Sequence, residues 1–330
     1  EVAEDVEEAA EADLRVRHRH ADAAQRLLDA RIGHALHGDS DGGGSSLDCA
    51  KGINFLLTQG GRIHDFHGYG KATRPMLPMI GVPTTAGTGS EVTIVAVISD
   101  PAHHRKLVIA DTRIVPRIAA LDPSLMTGLP PHITAATGMD ALTHAVEAYL
   151  GHWGTAFSDR MALSAVGLIY QNLPVAYADG QDLAAREKMA LASTYAGLAF
   201  TRASVGNVHA IAHQLGGLYH TPHGLANAIM LVPVLRFCGA ASQAKLAVLA
   251  VRAGVARASE PEARRAQKFI DSVAAMNRAM AIPRLPRPTT PPGSPRSSGC
   301  FRTDRRGTRG CPSPAGCRCL RWSRRSPPPG

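Results

Sequence analysis

The chain has 330 residues, 45% of them hydrophobic, and a formal net charge of +9. That length and apolar fraction suffice for a sizeable core in two domains and exclude a wholly disordered chain. The charge is local: residues 284–330 hold eleven Arg against one Asp, so the other 283 residues sum to −1 and carry no basic stripe for nucleic acid.

In chain order, residues 1–40 open with the acidic, helix-prone EVAEDVEEAAEADL and continue as RVRHRHADAAQRLLDARIGHALHGDS, without a good β-strand. Residues 41–51, DGGGSSLDCAK, then lead into an apolar, helix-compatible run. Consecutive glycines let backbone approach a ligand, and a helix N-terminus offers free N–H groups to an anion. A phosphate-binding loop is therefore expected over Gly42, Gly43, Gly44, Ser45 and Ser46, with Asp48 in the early turns of the helix, where a negative charge suits the dipole. A plain linker is the competing reading.

The runs 76–82 (MLPMIGV) and 93–99 (TIVAVIS) read as strands. Between them Thr84, Thr85, Thr88 and Ser90 offer hydroxyls beside the bare backbone of Gly87 and Gly89, suited to phosphate, ribose or amide groups; a simple turn is the alternative. Residues 106–111 and 114–122 supply further short strands. Lys106 at the start of the first suits either a phosphate or a solvated edge strand.

From Asp122 the pattern becomes helical, with helices expected over 159–173, 183–200, 205–215, 225–237, 244–256 and 261–280, the last with Ser259 and Pro261 as cap and first turn. The economical architecture is an α/β cofactor-binding domain over 41–121 followed by an all-helical metal and substrate domain over 122–283. In TAATGMDALTHAVEAYL, Asp140 and His144 stand one helical turn apart, a divalent-metal half-site. In GNVHAIAHQLGGLYHTPHGLANAIMLVP, His209 and His213 share a helix face, Gly216-Gly217 is expected to end that helix, and His223 returns on a His-Gly turn. Imidazole is the commonest nitrogen ligand for zinc, iron and copper. Taken singly, such histidines are core or capping residues; two half-sites in one chain favour metal.

Residues 284–330 carry ten Pro, no Lys and four of the six Cys, a composition that cannot bury a core. A basic nucleic-acid arm and a cysteine metal knuckle compete with out-of-frame translation of a GC-rich gene, which yields this mixture and is preferred. Cysteines 300, 311, 317 and 319 lack CxxC pairing. Two body cysteines, Cys49 and Cys238, and the lack of a signal peptide or spanning segment point to a reducing cytoplasm.

GGGSSLDCAK, PTTAGTGSE, GMDALTHAVEAY and VHAIAHQLGGLYHTPHGLANA together resemble the iron-containing (group III) alcohol dehydrogenases, over roughly residues 42–283. The resemblance implies a dehydroquinate synthase-like architecture: an α/β dinucleotide-binding domain, incomplete here at its N-terminus, and an all-α metal-binding domain. It places the metal ligands on Asp140, His144, His209 and His223, and His213 near the nicotinamide, either supporting the metal ligands from outside or relaying a proton. It gives the glycine stretch 42–46 the cofactor diphosphate, supported by Asp48, and lines the nicotinamide ribose and phosphates with Thr84, Thr85, Thr93 and Lys106. It implies Fe²⁺, or Zn²⁺ or Mn²⁺, with NAD or NADP, and homo-oligomers are common in the family. His220 receives no role.

The expected activity is interconversion of a small primary alcohol or diol and its aldehyde. The rivals are a glycerol dehydrogenase-like or dehydroquinate-synthase-like relative, an inactive product that only binds metal, and a nucleic-acid binder acting through the basic tail.

Overall fold

The computed structural model describes residues 42–100, 103 and 105–284. The readings of the head before Gly42 and of the tail from Leu285 lie outside the described residues.

Helix α1 (Gly42–Gln59) opens the described chain and packs on a small sheet. Strands β3 (Val95–Asp100) and β4 (Arg105–Ala110) pair antiparallel, with Val97 opposite Val108. The two-residue β1 (Gly68–Tyr69) pairs parallel to β4 on its other side. A second, parallel pair joins β2 (Ile80–Gly81) to β5 (Ile118–Ala119). The apolar runs 76–82 and 114–122 thus yield only two ladder residues each, because Pro78 and Pro116 lack the N–H a ladder requires. At Lys106 strand β4 pairs with β3 alone, opposite Ser99, because β1 meets β4 only at Ile109 and Ala110. Beneath this sheet lies a core of six buried apolar residues centred on Phe55, Phe66 and Ile109, the two phenylalanine rings 4.9 Å apart.

Beyond Ala119 the ladders stop and long helices take over: α2 (Pro131–Leu150), α3 (Ala156–Ala178), α4 (Leu183–Ala203), α5 (Asn207–Tyr219), α6 (His223–Cys238), α7 (Gln243–Arg252) and α8 (Glu262–Ala279). Pro131 starts α2 at a position whose N–H would be unpaired anyway. Every residue from Thr134 to Tyr149 is buried, so α2 is the central helix, covered by α3, α4 and α6. The Thr137 and Thr143 hydroxyls survive there by donating to the carbonyls of Ile133 and Met139, both at 2.8 Å. Thr155 and Ser158 form a capping box at the start of α3. The large core joins Met139, Leu142, Leu173, Leu231 and Phe269, all fully buried.

Three boundary expectations are corrected. Gly42 to Gly44 form the first turn of α1 rather than a loop. Gly216 and Gly217 lie inside α5, which ends at His220 in the left-handed conformation, φ 54°; two glycines cost helix stability but do not force a stop when neighbouring elements cover the turn. At α8 the cap position is Pro261, not Ser259, and the helix starts at Glu262. Among the described residues no helix is long and apolar enough to cross a membrane.

Candidate metal centre and adjoining cleft

The central helix carries the first half of the site. Asp140 and His144, one turn apart on α2, are both buried. Helix α5 adds His209 from its first turn, and α6 adds His223 as its first residue. Gly224 makes the last approach possible. A Cβ on residue 224 would stand 2.6 Å from the Ala136 carbonyl oxygen, so only glycine lets the start of α6 close onto α2.

Ligating atoms of Asp140, His144, His209 and His223 all lie within 4.8 Å of one another. From Asp140 Oδ1 the Nε2 atoms of His144, His209 and His223 stand at 4.0, 3.8 and 3.7 Å. The rings of His144 and His209 stack at 4.5 Å, and Phe200 covers the other face of His144 at 4.4 Å. His144 Nδ1 faces the Gly87 carbonyl at 3.3 Å, and His209 Nδ1 faces the Glu147 carboxylate at 2.6 Å. Both partners are acceptors, so both Nδ1 atoms carry the proton and both Nε2 lone pairs turn inward.

This packing sets the charge. Burial works against the Asp140 carboxylate, but the imidazoles of His144, His223 and His209 and the Asn227 amide proton draw its pKa below the ordinary value. Burial pushes His144 below the usual imidazole range and His209 well below it. Asp140 thus favours its anionic form, and His144 and His209 favour their neutral forms. The only amide among the described residues that reaches this cluster is Asn227, whose Nδ2 lies 2.6 Å from Asp140 Oδ1, 3.0 Å from His209 Nε2 and 3.2 Å from His223 Nε2. Two amide protons cannot serve three acceptors, and Asn227 Oδ1 is buried without a partner. A buried site this rich in acceptors and poor in donors fits a divalent cation, and its mixed carboxylate–imidazole donors suit Fe²⁺, Zn²⁺ or Mn²⁺.

The cluster lies on the wall of a cleft of about 790 Å³. Gly44, Ser45 and Asp48 of α1 reach it, as do Thr85, Thr93 and Lys106. Thr84 does not: it is exposed and outside the lining. Gly42, Gly43 and Ser46 also lie outside the lining. At Gly43 a Cβ would fall on the Thr85 side chain and at Gly44 on that of Thr88, so these glycines let α1 dock against the threonine loop. Asp48 accepts from the Ser90 hydroxyl at 2.6 Å and the Val97 N–H at 2.8 Å, tying α1 to the loop and to β3. Lys106 Nζ donates to Ser99 Oγ at 2.7 Å. His213 also lines the cleft, its ring 5.3 Å from that of His223; burial, then the neighbouring His223, lower its pKa to about 4. His220 caps α5 and is exposed.

Sequence reasoning missed Glu147, Asn227 and Lys51. Glu147 had a signal: with Asp140 and His144 it falls at i, i+4, i+7, on one face of α2. Lys51 looked like a surface residue, yet it is fully buried and donates to the Thr93 carbonyl at 2.9 Å, the Thr93 hydroxyl at 3.1 Å and the Val95 carbonyl at 2.9 Å. Asn227 had no signal, because its role depends on α6 meeting α2 and α5. One strained residue borders the cleft: Ser204, between α4 and α5, has φ 66° and ψ 176°, a region populated essentially by glycine.

Comparison with known proteins agrees with this layout. The description "Iron-containing alcohol dehydrogenase" matches residues 41–123, and "Fe-containing alcohol dehydrogenase family, C-terminal" matches 134–285. The chain is 49% identical over 198 residues to alcohol dehydrogenase 4 of Schizosaccharomyces pombe, covering 60% of this chain and 47% of that protein. It is 41% identical over 244 residues to the NAD-dependent methanol dehydrogenase of Bacillus methanolicus, covering 74% and 64%. A crystal structure of 1,3-propanediol oxidoreductase superposes with a TM-score of 0.71 at 44% identity, covering 73% of this chain and 63% of that one. The chain thus spans about half to two thirds of the length of these relatives. Matches to both halves of the pattern, in the order in which cleft and metal cluster are built, make this chain a member of the iron-containing alcohol dehydrogenase family.

Proposed function

We propose that the chain carries the catalytic centre of a metal-dependent oxidoreductase that interconverts a small primary alcohol or diol and its aldehyde with NAD or NADP. The observation that carries this reading is the convergence of Asp140, His144, His209 and His223 on the wall of a cleft that the start of α1 and the threonine loop also line. Names borne by relatives, an NAD-dependent methanol dehydrogenase and a 1,3-propanediol oxidoreductase, support the substrate class and the cofactor.

When bound, a divalent cation held by these four residues supplies Lewis-acid polarisation of the substrate oxygen, and a nicotinamide ring exchanges hydride with the substrate carbon. The protein does the rest. Asp140 furnishes the one carboxylate among the four, so a divalent cation held there would keep a net positive charge and would lower the pKa of an alcohol beside it. His144 and His209 hold their lone pairs inward through their outer hydrogen bonds. Phe200 stacks on His144 and helps hold its ring in place. Gly44, Ser45, Thr85, Thr93 and Lys106 provide backbone N–H groups, hydroxyls and one cation for diphosphate and ribose. His213, neutral at physiological pH and beside His223, takes the alcohol proton outward and returns it when the aldehyde is reduced.

The test is oxygen-free reconstitution with Fe²⁺ or Zn²⁺, then 1-propanol or 1,3-propanediol with each cofactor, reading absorbance of the reduced nicotinamide. Metal-dependent reduction, lost in His209→Ala, is the expected result. Stoichiometric metal binding without turnover under any cofactor would overturn the activity while leaving the metal site intact.

A further inference from the structure

We propose that Glu147 is a positioning residue for the metal centre, acting through His209. This rests on the metal reading above and assigns a role to a side chain outside the four donors.

Glu147 lies on α2, seven residues after Asp140 and three after His144, and its side chain is only 6% exposed. Its Oε2 stands 2.6 Å from His209 Nδ1, a distance typical of a charge-assisted bond. The same carboxylate accepts the Gly206 N–H at 2.9 Å, the Val208 N–H at 2.6 Å and the His209 N–H at 3.5 Å. These are the unpaired donors that begin α5, which has no side-chain cap of its own. One carboxylate from the central helix therefore fixes both where α5 starts and how the imidazole in its first turn is turned. With Nδ1–H committed to Glu147, the His209 ring presents only an unprotonated Nε2 to Asp140, 3.8 Å away. A ligating histidine whose outer N–H is held by a carboxylate is a better and better-aimed ligand.

The three histidines differ in this respect. His144 is steered by a neutral carbonyl, Gly87, at the longer distance of 3.3 Å. His223 has a side chain 34% exposed, and its ring bond in the cluster runs from the Asn227 amide. His209 is thus the donor whose orientation is most strongly built in. Simple capping of α5 does not require the ring contact, since Gly206 and Val208 alone would satisfy that role.

Two measurements on the full chain decide between positioning and capping. The first leaves the protein unmutated: in metal-free, ¹⁵N-histidine-labelled wild type, ring nitrogen shifts are expected to report His209 as the Nδ1–H tautomer, assigned by its loss in His209→Ala. Finding Nε2–H there overturns the proposal. The second is Zn²⁺ affinity by chelator competition, with Co²⁺ absorption bands as a check on ligand geometry. Glu147→Gln, which replaces one acceptor oxygen with a donor, is expected to weaken Zn²⁺ binding by about 10- to 100-fold. In the His209→Ala background the same change is expected to cost less than about twofold, because its target is gone. Wild-type affinity in Glu147→Gln, or an equal loss in both backgrounds, reduces Glu147 to a helix cap and overturns the inference. A wild type that binds neither Zn²⁺ nor Co²⁺ overturns the underlying metal reading as well, and the tautomer measurement separates the two failures.

Discussion

The helical and α/β regions bury themselves in very different ways. The helices share a large core to which all of α2 to α8 contribute, whereas the sheet closes over six apolar residues. Ile80 and Ile118 of the β2–β5 pair stay 62% and 56% exposed, while Met139 and Leu142 of α2 are at 0%. The four proposed metal donors all come from the well-buried region, and most of the cleft residues expected to hold a cofactor come from the thin one. Metal binding should therefore be the robust property of this chain and cofactor binding the fragile one.

The largest effect tests the robust half directly. His209→Ala removes a buried donor and takes one partner each from Glu147 and Asn227, so Zn²⁺ affinity should fall by more than about 100-fold in a chelator competition while the far-ultraviolet helical signal persists. Unchanged affinity would mean that the cluster is not the metal site.

Next come the two cores. Phe269→Ala in the large core should cost about 3–5 kcal/mol of global stability, measured by denaturant unfolding. Phe55→Ala should instead open the α/β region locally: amides of β3 and β4 should exchange faster while those of α2 keep their protection. Equal loss of protection in both regions would erase the contrast.

Lys51 offers a pH test of the thin region. Burial, opposed by the charges of Asp48 and Glu91, lowers its pKa from 10.5 to about 8. Below pH 8 both folded and unfolded chains carry the proton, and the folded state bears the full cost of burying it. Between about 8 and 10.5 only the unfolded chain keeps it, so stability rises with pH across that window and levels off above it. Relative to Lys51→Met, the wild type should gain up to about 3 kcal/mol between pH 7.5 and 10.5 in paired urea titrations. A flat difference would show that the amine is not buried in solution.

Two smaller changes probe the junctions. Gly224→Ala should force α6 away from α2, costing about 1–3 kcal/mol and weakening metal binding through His223. Ser204→Gly should relieve backbone strain and raise stability by about 1 kcal/mol with metal affinity unchanged.

Much of the site was readable because helical periodicity is a local property. The pairs Asp140/His144 and His209/His213 follow from the 3.6-residue turn, and the structure brings the first pair together with His209 and His223. What was misread depended on contacts from distant segments. The triple glycine has the composition of a loop, yet packing against Thr85 and Thr88 holds it in the first turn of α1. Gly216-Gly217 has the composition of a stop, yet the fold carries α5 through it to Tyr219. Thr84 shares the chemistry of Thr85, but Thr84 is exposed and of the two only Thr85 reaches the cleft.

By itself, the sequence determined which residues could serve as donors, the change from strands to helices near residue 122, and the family to which these motifs belong. Each of these depends on residue type and short-range spacing. Only the tertiary structure decided that Asn227 stands beside Asp140, that Glu147 meets His209 Nδ1, and that Lys51 is buried. Those outcomes depend on how closely α5 and α6 approach α2, and α1 approaches β3. The distances are set by side chains far apart in the chain, down to one missing Cβ at Gly224.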